Sequence, residues 1–441
     1  MTSGGLISGF SGFSREDKIK LAASFTGNPE LFIRELRDHW HHDHLRQKQY
    51  ESLTENVVSN FFLPYSLVPN FKINGKDYIV PMVTEESSVV TACASAAKFW
   101  WPLGGFYTRI EEMEKPGHIH FIWKGGPREI SEFFTWIEPG LFDAVKPVTG
   151  KMSKRGGGVS RIQLNDCSAT LPGYYQVEVS FQTADAMGAN FINTCLEIMA
   201  GYILQQADQK GLSDRLEIIM SVLSNFTQHC KVKCSVSCRI HELSKLHSGA
   251  DGLAFARKFE TSVMIARHSL HRAVTNNKGI YNGIDGVLIA TGNDFRAAEA
   301  AGHAWAAKDG VYRGLTEVEL DGNYFTCGIE IPLSVGVVGG LTSLHPMARI
   351  SLMLLNNPDA AGLMAVVAAA GLANNFSAIR ALITGGIQKG HMQLHLANLL
   401  SQLGATDREK ERAIEYFKQK TVTHTGVEEF IDRIRKENPE D

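Results

Sequence analysis

Between Tyr174 and Tyr202 the apolar period of the chain changes, and this change constrains the fold more than any other feature. Residues 174–180 alternate as an extended segment, after which Ile192, Cys195, Met199 and Tyr202 recur at helical spacing. The junction reads Asp185-Ala186-Met187-Gly188-Ala189-Asn190, followed by Asn193 and Thr194. A strand that feeds a helix through a small, Gly-containing turn sets backbone N–H groups where a phosphate or pyrophosphate can meet them. Asp185 is placed to cap the following helix, and Gly188 permits close approach of a ligand. An ordinary capped helix start fits the same pattern. On this reading the turn is a candidate anion site.

At 441 residues the chain exceeds one simple core, so two or three domains are expected. Hydrophobic content of 44% and charged content of 21% fit a soluble globular protein. A net charge of −3 argues against nucleic acid or an anionic membrane as a general partner, so a polyanionic ligand needs a local basic patch. No basic n-region followed by an apolar stretch opens the chain. The most apolar run, residues 360–373, is too short to span a bilayer and is rich in Gly and Ala, as in a tightly packed internal helix. A cytoplasmic protein without a membrane partner is expected.

Two clusters invite a metal. Cys230, Cys234 and Cys238 alternate with Lys231, Lys233, Ser235, Ser237 and Arg239, which reads as a half-buried strand with thiols as small hydrophobes. The tract from Asp38 to His44 holds four histidines and reads as the solvated face of a helix. No metal site is expected.

Ser14, with Asp17 three residues on, opens the first helix, and helical patterns run to about residue 60. Residues 71–80 are strand-like around an Asn74-Gly75 turn, and a helix carrying Val89, Val90, Cys93 and Ala97 follows Ser87-Ser88. Residues 118–123 and 174–180 as strands, with 130–137 and the run after Asp185 as helices, imply a small α+β unit inserted in a larger one. Then come a helix over 252–278, a short strand over 286–291, an Ala-rich helix over 294–308, strands over 324–338, helices over 347–355 and 360–373, and a charged helical C-terminal region.

Glu85 and Glu86 adjoin at a strand-to-helix junction, where acids favour the helix dipole and can also serve catalysis. Lys278 lies beside Gly279 and among Asn276, Asn277 and Asn282, a setting in which an ammonium can stabilise an oxyanion, although most lysines are merely solvated. Asp294 is either a helix cap or a site residue at a strand end. His391 and His395 are four apart, but no glutamate in the HExxH position and no third ligand accompany them, so a mobile proton donor is the better reading.

In order and separation these elements resemble the hydroxymethylglutaryl-coenzyme A (HMG-CoA) reductase family, over about residues 55–400 and nearest its soluble bacterial class II branch. The 185–190 junction resembles its cofactor signature, and Glu55-Asn56-Val57-Val58 its early Glu-Asn-Val-Ile element. Glu86 stands in the catalytic glutamate slot, with Ser88 after it. Asn225 resembles an active-site asparagine and Arg272 the arginine that holds the substrate carboxylate, with Asn282 a further substrate contact. Lys278, Asp294 and His391 occupy the family's lysine, aspartate and histidine positions.

The resemblance implies an α+β fold: a large mixed helical and sheet substrate domain (1–108 and 229–384), an inserted small ferredoxin-like cofactor domain (109–228) and a C-terminal helical flap (385–441). It implies two-hydride reduction of HMG-CoA to mevalonate and CoA in the isoprenoid pathway, in a homodimer with sites at the interface. Lys278 would stabilise the oxyanion, and Glu86, kept protonated by burial and by Asp294, would protonate the alkoxide. Asp294 would orient Lys278, and His391 on the flap would protonate the departing thiolate. Asp185, Ala186, Met187, Gly188, Ala189 and Asn190 would hold the cofactor. NADH-using relatives carry an acid before the Gly-rich turn near residue 156; here Lys151, Lys154 and Arg155 stand there, so NADPH is expected, with NADH the alternative and a solvated basic loop the plain reading. The competing functions are NAD-dependent oxidation of mevalonate and a non-catalytic acyl-CoA-binding homologue. Two departures stand out: Leu341 replaces a small residue, and residues 9–14 lack the arginine expected for CoA phosphate, for which Arg15 or Lys18 are the substitutes.

Overall fold

In a computed structural model of the chain, the structure describes residues 6–246, 251–385, 396–418, 420 and 422–437. Local signals hold where side chains meet their own backbone. The Ser14 hydroxyl accepts from Asp17 N at 3.1 Å and starts the helix Arg15–Ala23. Asn74 and Gly75 both take positive φ and close a hairpin between β1 (Tyr65–Ile73) and β2 (Lys76–Val83). The His-rich tract differs from its reading: helix Pro29–Asp38 ends before it, and Asp43 caps His44–Glu51 by accepting from Leu45 N and Arg46 N. His39, His41 and His42 therefore occupy a break between two helices, with His44 opening the second, because Asp43 diverts the backbone donors that a continuous helix would need.

One strand runs through both sheet regions. The first part of β3 (Tyr107–Trp123), to Met113, pairs with β7 (Cys230–Arg239); the remainder pairs with β5 (Tyr174–Gln182) and β6 (Leu216–Leu223). Next to β5 lies β4 (Gly158–Asp166), and beyond β7 lie β9 (Tyr324–Pro332) and β8 (Thr316–Asp321). Between 107 and 223 the βαββαβ order and the antiparallel neighbours β4-β5-β3-β6 are ferredoxin-like. Two helices, Pro127–Ser153 and Ala189–Gln209, pack Ile130, Phe133, Leu196 and Met199 against Ile119, Phe121, Val177 and Val179. A second core joins the hairpin, β7, β9 and the long helices, and a third lies within residues 396–434. The alternation of β7 is as read, with Cys230, Cys234 and Cys238 buried as free thiols.

Three readings need correction. Residues 286–291 are not a strand: 286–290 end the helix Leu270–Ala290 and Thr291 caps it. Gly283 and Gly286 explain the choice, because a Cβ at Gly283 would come within 2.3 Å of Ala370 O and one at Gly286 within 2.7 Å of Met82 Cε. Close helix packing overrides local strand preference there; overpacking of this kind costs about 1–3 kcal/mol. Residues 252–278 are two helices, Gly252–His268 and Leu270–Ala290, because Ser269 leaves the helical region and caps the second. The apolar helix does not stop at 373 but spans Ala360–Thr384, its Asn374 and Asn375 side chains being bonded to Val89 O at 3.0 Å and Asn276 O at 2.9 Å. It is long and apolar enough to cross a membrane, yet 83% of its most apolar window is buried inside this fold. That is a core helix.

Candidate active site

The facing sides of helices Leu270–Ala290 and Ala360–Thr384, together with the start of Val89–Trp100, form a cleft of about 370 Å³. Arg272, Asn276, Gly279 and Asn282 recur at helical spacing along one wall; Asn374, Asn375, Ala378 and Ala381 do so along the other. The Lys278 ammonium donates to Glu86 Oε2 at the mouth. Ser88, which also lines the cleft, holds a positive φ of 76°, a conformation unusual outside glycine. Behind the wall, Asn276 donates to Thr316 Oγ1 at 2.9 Å, and that hydroxyl donates to Asn375 Oδ1 at 2.7 Å. These buried, paired amides fix the rotation of both helices and so the direction of Lys278.

Arg380 is a lining residue that the sequence reading missed. Its guanidinium donates to Ser95 Oγ at 2.9 Å, and burial pushes its pKa down, as it does that of Arg272. Against Glu86, the cleft thus carries Lys278, Arg272 and Arg380, an excess of positive charge suited to a carboxylate or phosphate. A signal existed in the period: Arg380 lies one and a half turns after Asn375 on a helix whose length the sequence reading cut short.

Asp294 and Asn225 stand elsewhere. Asp294 caps the helix Phe295–Ala306, accepting from Ala297 N at 3.1 Å. Ala297 and Asn225 line a small cavity with Lys115, Met187 and Ala189, beside the 185–190 turn. Lys278 precedes the end of its helix by twelve residues, roughly 18 Å of axis at 1.5 Å per residue. The Glu86 side chain is 39% exposed and contacts Lys278, while Asp294 pairs with Arg296. His391 lies outside the described residues.

The 185–190 turn also departs from its reading. Asp185 does not cap the helix that follows it; its Oδ1 accepts from Ala360 N at 3.0 Å, at the start of the cleft-lining helix. The helix Ala189–Gln209 begins at Gly188, φ 89°, without a side-chain cap, so its first N–H groups are left for another acceptor. Asn193 Oδ1 accepts from Leu223 N at 2.9 Å and so steadies the approach to Asn225. Lys154 and Arg155 are exposed at the end of helix Pro127–Ser153, and Gly158 pairs with Gln182, the last residue before the turn segment.

The sequence model of hydroxymethylglutaryl-coenzyme A reductase matches residues 29–396. The chain belongs to the HMG-CoA reductase family. It is 33% identical over 431 residues to the 3-hydroxy-3-methylglutaryl-coenzyme A reductase of Archaeoglobus fulgidus, covering 97% of this chain and 94% of the relative. The probable reductase of Borreliella burgdorferi is 34% identical over 392 residues, 88% of each chain. Among solved structures, the reductase of Streptococcus pneumoniae superposes with a TM-score of 0.73 at 33% identity, over 97% of this chain and 99% of that one. Another structure of the Streptococcus pneumoniae class II enzyme, bound to NADPH in open conformations, gives 0.72 at 33% identity over 86% and 99%.

This member of the reductase family also carries an acid pair beneath its cleft. Asp285, one turn beyond Asn282, has a buried Oδ1 with no hydrogen-bond partner. Burial pushes its carboxyl up to about 8, helped by Glu299 and Glu85. The folded state therefore holds a proton that the unfolded chain releases above pH ~4, so stability falls as pH rises from about 4 to 8 and levels off beyond. Asp285→Asn removes this linkage. Thermal melts should show the variant gaining on the parent steadily between pH 4 and pH 8; a constant difference would refute the raised acid.

Proposed function

We propose that this chain reduces the thioester of (S)-3-hydroxy-3-methylglutaryl-CoA to mevalonate and CoA in two hydride steps, consuming two NADPH, as a homodimer. The observation that carries the reading is the Lys278–Glu86 contact at the mouth of a cation-rich cleft in a chain of this family. NADPH, when bound, supplies a hydride to the carbonyl carbon. Lys278 stabilises the charge gathering on the carbonyl oxygen, and Glu86 delivers the proton that converts the alkoxide to a hemithioacetal. Collapse breaks the carbon–sulfur bond, giving mevaldehyde and the CoA thiolate, which His391 protonates. A second hydride and proton give mevalonate. Arg272 holds the substrate's distal carboxylate, with Ser88 and Asn282 as further contacts in the cleft and Asn225 brought to the substrate by the second subunit together with its 185–190 turn.

The cofactor fits the 185–190 turn. Gly188 has a positive φ, and a Cβ there would meet Thr183 Cγ2 at 2.4 Å, so only glycine keeps the turn this tight. Lys154 and Arg155, a few residues before β4, which pairs with the strand that feeds the turn, supply charge for a 2′-phosphate, with Lys151 just before them in sequence. The Streptococcus pneumoniae enzyme that this chain resembles was solved with NADPH. Following nicotinamide absorbance with HMG-CoA and each cofactor tests the proposal. NADPH oxidation at twice the CoA release, at least tenfold faster than with NADH, is expected. Oxidation of neither cofactor would refute it, and faster NAD reduction by mevalonate would reverse its direction.

A further inference from the structure

Lys115 is a buried cation that lacks an acidic partner. It lies in β3 where that strand passes between the two sheet regions, 3% exposed. Its ammonium donates to Thr183 Oγ1 at 2.6 Å, Ala186 O at 2.8 Å and Met187 O at 3.0 Å. The Thr183 hydroxyl in turn donates to Ala186 O at 2.6 Å. All three ammonium protons are thus committed to the turn that precedes Gly188. Among the described residues no carboxylate pairs with Lys115, and Asp185, the acid of the turn, is bound to the Ala360 N–H. Isolating an ammonium from water in this way is costly unless charge is supplied from elsewhere. A second observation lies beside it: Thr227, 5% exposed with an unpartnered hydroxyl, lines the same small cavity as Lys115, Met187 and Asn225.

We infer that Lys115 is a positioning residue for the anionic cofactor, clamping the 183–187 turn and supplying the positive charge that a phosphate on the N–H groups after Gly188 would complement. This rests on the reading of that turn as the dinucleotide site. It goes beyond that reading because Lys115 need not touch the cofactor; it acts through the backbone that does.

A thermodynamic signature follows. Burial pushes the Lys115 ammonium down to about 8 in the free protein, and an anion nearby raises it again. Binding must then draw a proton from solution at mildly alkaline pH, and affinity must fall as pH climbs past 8. The neighbouring titratable group is the Cys230 thiol of β7, which burial holds up at about 11, outside this window. The remaining residues lining that cavity carry no titratable side chain.

Calorimetry of NADPH binding to the full chain, in buffers of different ionisation enthalpy, tests this. Proton uptake is expected to be under about 0.2 per site at pH 7.0 and above about 0.5 at pH 8.5, with Kd rising roughly tenfold from pH 7.5 to 9.5. Lys115→Met should abolish the alkaline uptake and weaken binding at pH 7.5 while sparing kcat at saturating cofactor; the measurement on the parent decides the matter should that variant not fold. Asn190→Asp, isosteric and exposed, adds a carboxylate at the helix start and serves as the control. Unchanged NADPH affinity in Asn190→Asp would overturn the turn as dinucleotide site. Weakened affinity there, with no uptake by the parent at pH 8.5, would overturn the role of Lys115 alone.

Discussion

Lys278→Ala is expected to cut turnover at saturating substrates by about 10³-fold, with reduction of supplied mevaldehyde falling by a similar factor. Both reductions place negative charge on an oxygen, and Lys278 is the cation that reaches Glu86 at the mouth of the cleft. Removing a donor aimed at such charge costs about 10²–10³ in kcat, and here a full charge goes with it. The fold should tolerate the change. The lysine side chain is 57% exposed, and its helix is held by Asn276, Asn277 and Asn375 rather than by the ammonium. Surface substitutions away from such networks usually lie within about 0.5 kcal/mol. NADPH affinity should also largely hold, because the dinucleotide is assigned to the 185–190 turn and not to the Lys278 ammonium. Lys278→Arg is not expected to rescue, since a planar guanidinium delivers its charge along a different geometry. Steady-state rates with HMG-CoA and with mevaldehyde decide the case; a loss below tenfold in both would remove Lys278 from the chemistry.

The sequence made legible whatever depends on short-range rules. The Ser14 cap, the Asn74-Gly75 hairpin and the alternation of Cys230, Cys234 and Cys238 need only neighbouring residues to be understood. It failed where long-range packing overrides local preference. Residues 286–290 look like a strand in isolation and are helical because Gly283 and Gly286 let that helix press against Ala370 and Met82. Asn374 and Asn375 look like a helix end and are interior, because partners nearly a hundred residues away or more satisfy their amides. The strands β4 and β6 escaped notice because both are edge strands with mostly unburied side chains and weak alternation. In the site, the resemblance named Arg272 and Asn282 beside Lys278, and their place on one helix was hidden because the helical pattern was read as ending at 278. Nothing local could show that Asp185 reaches across to the helix Ala360–Thr384, or that Lys115 sits behind the turn. Those are tertiary facts. What reached across chain distance was the family resemblance, which supplied Glu86 as partner to Lys278.

Two variants that are each inactive should restore about a quarter of parental activity when mixed as subunits. Lys278 and Glu86 lie in one cleft, while Asp294, Asn225 and the 185–190 turn gather around another cavity. Roughly 18 Å of helix axis separates Lys278 from the end of its helix, and among the described residues Lys278 pairs with Glu86 whereas Asp294 pairs with Arg296 and caps its own helix. If hydride donor and acceptor are to meet, a second chain must bring its turn to the first chain's cleft, as two-fold symmetry would do twice over in a homodimer. Lys278→Ala and Asp294→Asn then damage different halves of each site. In a heterodimer of the two, one site inherits both lesions and the other inherits neither. Random re-association makes about half the dimers mixed, each with one working site of two, hence about a quarter of the parental rate. Unfolding and refolding the two variants together, against each refolded alone, measures this. Equal residual rates in mixed and separate samples would mean that each chain assembles its own site, which would require the cofactor turn to travel to Lys278 within one molecule. That motion would have to break the Asp185–Ala360 hydrogen bond, so the same experiment also weighs the contact that ties the turn to the cleft-lining helix.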